Sequence, residues 1–302
     1  TGLSVSAFGK FKELIEFSDI IHYHFPNPFA DLLHLLCYVK KPSLVTYHSD
    51  IVKQKWLLPA YRPLQNYFLN AVDRIVATSP NYYNTSEVLQ FYSEKTSIIP
   101  IGIDPETIER VDSKRLEFWQ NELPKTFFLF VGALRYYKGL DLCLDAISGE
   151  DINLVIVGTK GIEKKLKTKA AKLKLNNVRF LGQVTDEDRA ALLHLCHAFV
   201  FPSNLRAEAF GISLLEASIA GKAMISCEIG TGTSYINLHN ETGIVIKPGS
   251  TIALNNAMIY LRDHPTIAYE MGINAKKRVK NLFSADKLAK AYYDLYHDLI
   301  TN

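Results

Sequence analysis

Apolar runs of strand length alternate with amphipathic stretches along nearly the whole chain, and this alternation restricts the folds open to it. TFFLFVG (126–132) and INLVIVG (152–158) are apolar at almost every position. Such continuous runs are typical of strands buried on both faces of a parallel sheet, which helices cover on either side. The alternation therefore predicts an α/β fold with doubly wound sheets.

The same pattern places the individual elements. The predicted strands are 19–25, 42–48, 73–79, 126–132, 152–158, 177–182, 198–203, 222–227 and 242–248. The predicted helices are 139–148, 162–174, 186–196, 212–220 and 252–262, and the chain after them is helical, with a strongly amphipathic stretch at 285–300.

The charged stretch 102–125, which contains two prolines, marks a boundary between two units. We expect an N-terminal domain at 1–118, a C-terminal domain at 119–284 and a last helix at 285–302. The chain starts with Thr1, and neither a further strand nor a glycine-rich turn precedes the first predicted strand. We therefore expect the N-terminal domain to be partial, with its beginning outside this chain.

Composition excludes several classes of protein. The chain has 302 residues, with 34 Lys and Arg against 31 Asp and Glu, and this net charge of +3 does not by itself indicate nucleic acid. Its four cysteines form no CxxC pair, which argues against a zinc ribbon and favours a reducing compartment. No apolar run approaches the ~18 residues that a transmembrane helix needs. No GxGxxG follows a strand, so a dehydrogenase is poorly supported.

The segment SNLRAEAFGISLLEASIAG (203–221) carries the strongest chemical signal. Glu208 lies in a loop after a strand, Gly211 allows a tight path into a helix, and Glu216 follows eight residues after Glu208. A helix N-terminus offers free N–H groups and partial positive charge to an anion. Two carboxylates beside it suit the hydroxyls of a nucleotide sugar. A capped helix with two surface acids is the alternative.

Two further segments fit the same edge of the sheet. VGALRYYKGLDLCLDA (131–146) puts Arg135 and Lys138 after a strand, where they are able to neutralise a diphosphate. Ordinary surface positions are the alternative for both. GTGTSYIN (230–237) is a glycine- and hydroxyl-rich turn that could line the same crevice, although a plain turn is the simpler interpretation.

These segments together resemble a known family. Glu208 and Glu216 with the residues between them match the E-x7-E motif of retaining glycosyltransferases with the GT-B fold, family 4 type. FLFVGALRYYKGLDLCLDA, LVIVG, NVRFLGQVTDED and TGIVIKPGS follow the family's order, and DIIHYH, VTYHSD and VDRIVATS resemble its acceptor domain. The resemblance covers nearly the whole chain. It implies two Rossmann-like domains facing across a cleft, with the C-terminal helix crossing back to the first domain.

The resemblance also implies roles for individual residues. Glu216 would hold the ribose, Glu208 the transferred sugar, and Lys138 the diphosphate. Arg135 is expected to assist Lys138, because the family's usual arginine position is Ala133 here. Further contacts to the donor are implied for Val184 at the base and for Phe210, Gly211 and Ile212 near the sugar.

On the acceptor side, His48 matches the family histidine that approaches the donor sugar, and we class it with Glu208 and Lys138 as catalytic. The resemblance implies no cofactor and no metal. His22 and His24 share one face of a strand and form a weak candidate for a metal pair, with a crevice-lining or structural role as the main alternative.

The expected function is hexose transfer, with mannose from GDP-mannose favoured because GTGTSYIN and YYKG resemble mannosyltransferases of O-antigen and exopolysaccharide pathways. The acceptor would be a growing glycan or lipid-linked oligosaccharide at the cytoplasmic membrane face. UDP-sugar donors, a degenerate nucleotide-sugar-binding scaffold and a GT-B epimerase stay open. The lysine-rich stretch 160–174 predicts a solvated helix face, with an anionic membrane surface as the alternative and nucleic acid least favoured.

Overall fold

The structure is a computed structural model that describes residues 6–51 and 57–301. The chain divides into two compact units, one of residues 1–101 with 286–302 and one of residues 102–285. The boundary expected after residue 118 therefore falls inside the second unit. The reason is that the charged stretch is helical and packs on a later helix of that unit, as described below.

The first unit contains a four-stranded parallel sheet with the strand order β1-β2-β3-β4. Its elements up to the boundary are α1 (Ser6–Phe17), β1 (Ile21–Phe25), α2 (Pro28–Leu36), β2 (Ser43–Tyr47), α3 (Leu58–Ala71), β3 (Arg74–Ala77), α4 (Pro80–Thr85), α5 (Glu87–Phe91) and β4 (Thr96–Ile98). Phe68 of α3 is fully buried and packs edge-on against Tyr23 of β1. This aromatic contact holds one helical layer on the sheet.

The second unit contains a six-stranded parallel sheet. Its elements are α6 (Glu106–Glu109), α7 (Ser113–Glu122), β5 (Phe128–Val131), α8 (Leu140–Ala146), β6 (Leu154–Val157), α9 (Glu163–Lys172), β7 (Val178–Gly182), α10 (Asp186–Leu195), β8 (Ala198–Phe201), α11 (Ile212–Ile219), β9 (Met224–Cys227), α12 (Gly232–Ile236), β10 (Gly243–Ile246), α13 (Thr251–Asp263) and α14 (Pro265–Leu282). The strand order is β10-β9-β8-β5-β6-β7. Every predicted strand is present with its ends trimmed, and the predicted α/β class with parallel sheets is confirmed.

Strands β5, β6, β8 and β9 are buried at every position, which is the consequence of helices on both faces of the sheet. Helix α7 packs on α10, where Arg115 and Trp119 both donate to the buried Asp188 carboxylate at 2.6 and 2.8 Å. This contact places the stretch after residue 102 in the second unit.

The last helix, α15 (Ala285–Thr301), packs on the sheet of the first unit. Its apolar side chains cover Leu44 and Val76 of that sheet and Ile99, which directly follows β4. Tyr292 adds a hydrogen bond of 2.6 Å to the hydroxyl of Thr46. Within the described residues, no helix combines the length and the apolar character that crossing a membrane requires.

Candidate functional site

The candidate site of the second unit lies where two neighbouring strands end. Strand β5 pairs directly with β8, and the two run parallel, so their carboxyl ends share one edge of the sheet. Lys138 lies in the loop after β5, and Glu208 lies in the loop after β8. The carboxyl edge of a doubly wound sheet is where such folds bind their ligands.

Lys138 and Glu208 form an ion pair between the Lys138 Nζ and Glu208 Oε2 atoms. Both residues are buried, at 8% and 9% exposure. The Ser203 hydroxyl donates a further hydrogen bond of 3.0 Å to the same carboxylate oxygen, and Lys138 Nζ lies 4.4 Å from the centre of the Phe201 ring. Each buried charge is thus compensated by its partner, which is the condition for tolerating either of them.

Close backbone packing brings the two loops together. Gly139 has φ of +67°, and a Cβ at this position would lie 2.1 Å from the carbonyl oxygen of Pro202. The N–H of Asn204 donates to the carbonyl of Tyr137 at 3.0 Å. A side chain at position 139 would therefore push the Lys138 loop away from the Glu208 loop.

The loop after β8 leads into α11 through a glycine. Gly211 caps the helix with φ of +98°, and because it has no side chain, the first N–H groups of α11 receive no side-chain cap. Phe210 before it is buried against Gly232, whose N–H donates to the carbonyl of Ala209 at 2.9 Å. The GTGTSYIN stretch (230–237) thus contains a short, mostly buried helix, α12, instead of being the plain turn that its composition favours.

Glu216 lies on the second turn of α11 and is half-buried. Burial raises the pKa of its carboxyl, the nearby Arg189 guanidinium opposes this rise, and Asp186 adds to it. Arg189 Nε lies 3.4 Å from Glu216 Oε1, and Arg189 Nη1 lies 3.0 Å from Asp186 Oδ1. The Nε atom is buried and not aligned for a hydrogen bond. The Arg189 Nε–H group and the Glu216 carboxylate thus face each other without forming a hydrogen bond.

Three of the predicted donor residues lie at the margins of this arrangement. Arg135 is exposed, so its guanidinium is not fixed at the ion pair. Val184 is half-buried in the loop between β7 and α10. Ile212, the first residue of α11, is 54% exposed.

His48 belongs to the first unit, where it follows β2. Its Nε2 lies 2.8 Å from Nδ1 of His24, and the two rings stack with centroids 5.1 Å apart. Burial lowers the pKa of His48, and the neighbouring His24 lowers it further. His48 is therefore favoured in its neutral form.

His22 stacks on the other side of His24, with ring centroids 4.7 Å apart. Its two nitrogens bond the hydroxyls of Tyr296 and Thr46 at 2.6 and 2.7 Å, so neither has a lone pair to spare for a metal. Burial, with the neighbouring histidines, lowers the pKa of His22 to about 4. In the described part of the chain, no group of three or more His, Cys, Asp or Glu is arranged to hold a metal ion.

Three residues of the site carry no predicted role. Ser203 orients Glu208, and its place at the end of a strand in the motif segment was a signal for it. Arg206 donates to the carbonyl of Gly230 at 2.8 Å and ties the motif loop to the α12 loop. Arg189 had no signal, because DEDR at a helix start is ordinary capping sequence.

Two family models cover most of the sequence. The model described as "Glycosyl transferases group 1" matches residues 113–278, and the model described as "Glycosyltransferase Family 4" matches residues 3–107. The first model thus spans most of the second unit, including the Lys138–Glu208 pair, and the second spans most of the first unit.

Individual relatives agree with the family models. The chain is 55% identical to D-rhamnosyltransferase WbpZ of Pseudomonas aeruginosa over 285 residues, which are 94% of this chain and 75% of that protein. It is 45% identical to O-antigen chain mannosyltransferase C of Escherichia coli, over 99% of this chain and 81% of that protein. The crystal structure of Anabaena Alr3699/HepE in complex with UDP and glucose superposes with a TM-score of 0.82 at 18% identity, covering 97% of this chain and 81% of that one.

Proposed function

The chain belongs to the group 1 glycosyltransferases, and we propose that it transfers a hexose from a nucleotide sugar to a glycan acceptor with retention of configuration. Its fold is the GT-B fold of that family. The name of one relative above, O-antigen chain mannosyltransferase C, supports O-antigen polysaccharide synthesis as the setting. No metal or other cofactor is part of the proposal.

The observation that carries the proposal is the buried Lys138–Glu208 pair beside the open first turn of α11. A diphosphate there meets a cation and free N–H groups, and a sugar meets a carboxylate that Ser203 and Lys138 hold in place. Lysine and glutamate are seldom buried, and here both are buried as a pair at the sheet edge where such folds bind ligands.

The proposed reaction begins with departure of the nucleoside diphosphate, which develops negative charge on the leaving oxygen. Lys138 and the α11 N–H groups stabilise that charge, with Arg135 able to swing in from the surface. The acceptor hydroxyl then attacks the oxocarbenium-like sugar on the face that the diphosphate leaves. The acceptor proton passes to the leaving phosphate. Glu208 holds the sugar hydroxyls and does not act as a nucleophile.

In this scheme His48 orients the sugar from the acceptor side. Its lowered pKa keeps the ring neutral, so it is able to accept or donate one hydrogen bond without adding positive charge beside an oxocarbenium ion. On the donor domain, Glu216 accepts hydrogen bonds from the ribose hydroxyls, and the backbone of Val184 contacts the base.

For the donor we propose a sugar of the D-manno configuration carried on GDP. GDP-mannose is the first candidate, from the likeness of GTGTSYIN and YYKG to mannosyltransferases. Its 6-deoxy analogue, GDP-D-rhamnose, is the second, because the relative that is 55% identical is named a D-rhamnosyltransferase. The two sugars differ in one hydroxyl, so a pocket polar at C6 favours mannose and an apolar one favours rhamnose.

The acceptor we propose is a lipid-linked glycan at the cytoplasmic face of the membrane. The chain would act there as a cytoplasmic enzyme in peripheral contact with the lipid.

The first test is a thermal-shift titration with GDP, UDP, ADP and CMP on the wild-type chain and on Glu216→Ala. Ligand at 100 times its Kd raises the free energy of unfolding by about 2.7 kcal/mol. We expect GDP alone to raise the melting temperature, and Glu216→Ala to lose the shift. A shift with UDP instead rejects GDP, and no shift with any nucleotide favours a degenerate scaffold.

Product analysis with GDP-mannose and GDP-D-rhamnose follows. A glycosylated lipid-linked acceptor supports the proposal and identifies the donor. Free epimerised sugar without acceptor glycosylation would assign the chain to an epimerase instead.

A further inference from the structure

The positive charge of the chain is concentrated in one short segment of the second unit. Residues 160–174 hold seven lysines and one glutamate, a formal charge of +6, whereas the whole chain carries +3. The rest of the chain holds 27 basic and 30 acidic residues and is net negative. Such an uneven distribution creates a local positive field that the small net charge does not suggest.

Helix α9 contains five of these lysines, and they fall into two sets according to whether they form an ion pair. Lys167 pairs with Glu163 at 2.8 Å, and Lys169 pairs with Asp145 of α8 at 2.6 Å. Lys169 also donates to a backbone carbonyl of α8 at 2.8 Å. These two lysines serve the fold, since they neutralise acids and tie α9 to its neighbour.

Lys164, Lys165 and Lys172 form the other set, which we call the lysine face. All three are exposed, and no carboxylate in the described ranges 6–51 and 57–301 makes an ion pair with them. At 3.6 residues per turn they lie on one side of α9, while Leu166 and Ala170 are buried on the other. The fold thus does not use these three charges.

The start of α9 is fixed to the loop that carries the donor-site cations. The N–H of Ile162 donates to the carbonyl of Leu134 at 2.9 Å, and a Cβ on Gly161 would lie 2.1 Å from the same oxygen. Leu134 directly precedes Arg135 in that loop. The lysine face therefore begins beside the donor site and extends over a helix about 15 Å long.

We propose that the lysine face docks the second unit on a bilayer that contains anionic lipid. Lysine ammonium groups are compact point charges that do not demand a fixed partner geometry, which suits the changing positions of lipid headgroups. The stretch contains no arginine for bidentate phosphate recognition and no aromatic residue for stacking on bases, so it does not fit nucleic acid.

The docking is electrostatic and shallow. The exposed side of α9 carries charged and small residues and no large apolar side chain, so the helix does not insert among the acyl chains. It follows that binding depends strongly on salt. With a lipid-linked acceptor, which rests on the proposed function above, docking by this face holds the donor site close to the membrane surface. The docking itself does not depend on that function.

The test is cosedimentation of the full chain with vesicles of phosphatidylcholine mixed with phosphatidylglycerol, and with vesicles of phosphatidylcholine alone. The variant is the triple substitution Lys164→Gln, Lys165→Gln and Lys172→Gln. Its matched control is Lys114→Gln, Lys247→Gln and Lys277→Gln, which removes three exposed charges elsewhere in the same unit. Each lysine near an anionic surface contributes about fivefold to the partition coefficient, so the lysine-face variant should bind about a hundredfold more weakly.

The expected result is binding to the mixed vesicles only, loss in the lysine-face variant, retention in the control, and release by salt of about 0.5 M. If both triple variants lose vesicle binding equally, binding depends on the net charge of the chain and not on the lysine face, and the proposal is overturned. Equal binding to phosphatidylcholine alone, or tighter binding to a single-stranded oligonucleotide, would also overturn it. A cooperative thermal unfolding transition at the wild-type melting temperature shows that the lysine-face variant is folded. If vesicles bind as expected but no nucleotide does, the proposed function fails and the docking stands.

Discussion

Lys138 and Glu208, which follow two neighbouring strands, meet as a buried ion pair at the carboxyl edge of the second sheet. The pair serves both structure and chemistry. Each charge offsets the free-energy cost of removing the other from water. In the proposed reaction, Lys138 presents a cation to a diphosphate and Glu208 presents a carboxylate to a sugar. A substitution that removes one charge therefore affects both stability and activity.

The first prediction concerns Glu208→Gln. The glutamine keeps the shape but leaves the Lys138 charge uncompensated, and breaking a buried pair in this way costs about 3–5 kcal/mol of stability. We also expect kcat/KM for the nucleotide sugar to fall at least about a hundredfold. Chemical denaturation and initial rates measure the two effects. Glu187→Gln, on the exposed start of α10, is the matched control and should change neither.

The second prediction concerns Arg189 and the pH dependence of nucleotide binding. Burial raises the pKa of Glu216, so its carboxylate is lost at a higher pH than that of an exposed glutamate, and nucleotide affinity should fall as the pH falls. Arg189→Met removes the opposing charge and raises this pKa further. The fall in affinity should therefore begin at higher pH in Arg189→Met than in the wild type.

Calorimetric titration with the nucleotide, from neutral pH down to about pH 5, measures this shift. Arg189→Lys keeps the charge and should restore most of the wild-type profile. If Arg189→Met lowers affinity equally at every pH, the guanidinium has only a packing role.

The third prediction is acid destabilisation through His22. Its folded pKa is lowered to about 4 from an ordinary 6.5. Above pH 6.5 both states are neutral, and between 6.5 and about 4 only the unfolded state takes up the proton, so the free energy of unfolding falls through that window. Allowing for solvent screening of a partly buried ring, the loss is about 1–2 kcal/mol.

Thermal melting at a series of pH values tests this. His22→Gln should flatten the wild-type decline between pH 6.5 and 4, while His297→Gln, on the exposed side of α15, should leave it unchanged. A decline of the same size in His22→Gln would assign the acid sensitivity to other groups, such as His34 or His194, whose pKa values burial also lowers.

Local sequence was sufficient to predict nine of the ten strands in the described residues, because strand residues such as Phe130 and Ile156 are buried and therefore apolar. It missed β4, a short strand with no buried position and no apolar run of its own. It was also sufficient to place Lys138 and Glu208 on loops at one edge of a sheet. It was not sufficient for their direct pairing, since that depends on β5 lying next to β8. The facing of Arg189 and Glu216 depends on tertiary packing in the same way and had no local signature.

The α12 stretch is a second case in which tertiary packing decided the outcome. Its glycines and hydroxyl side chains favour a turn, but packing against Phe210 makes the stretch helical. Here the absence of a side chain at Gly232 is what lets Phe210 come close. Position 232 needs a glycine because Phe210 packs against it, and the sequence around Gly232 does not show this contact.

The last prediction tests that requirement with Gly232→Ala. A Cβ at this position would lie 2.5 Å from the Phe210 ring and 2.9 Å from the Phe210 Cα, so the backbone beside Gly211 has to move. We expect a loss of about 1–3 kcal/mol of stability and a higher KM for the nucleotide sugar, because Phe210 leads into the open first turn of α11. Gly9→Ala is the matched control, because a Cβ added at Gly9 would have no atom within 4 Å. Alanine in this exposed helix should raise the free energy of unfolding by up to about 1 kcal/mol. If Gly232→Ala, like Gly9→Ala, leaves stability and KM unchanged or improved, contact with Phe210 does not position the N-terminal end of α11. The role proposed for that helix end in holding the diphosphate then loses its support.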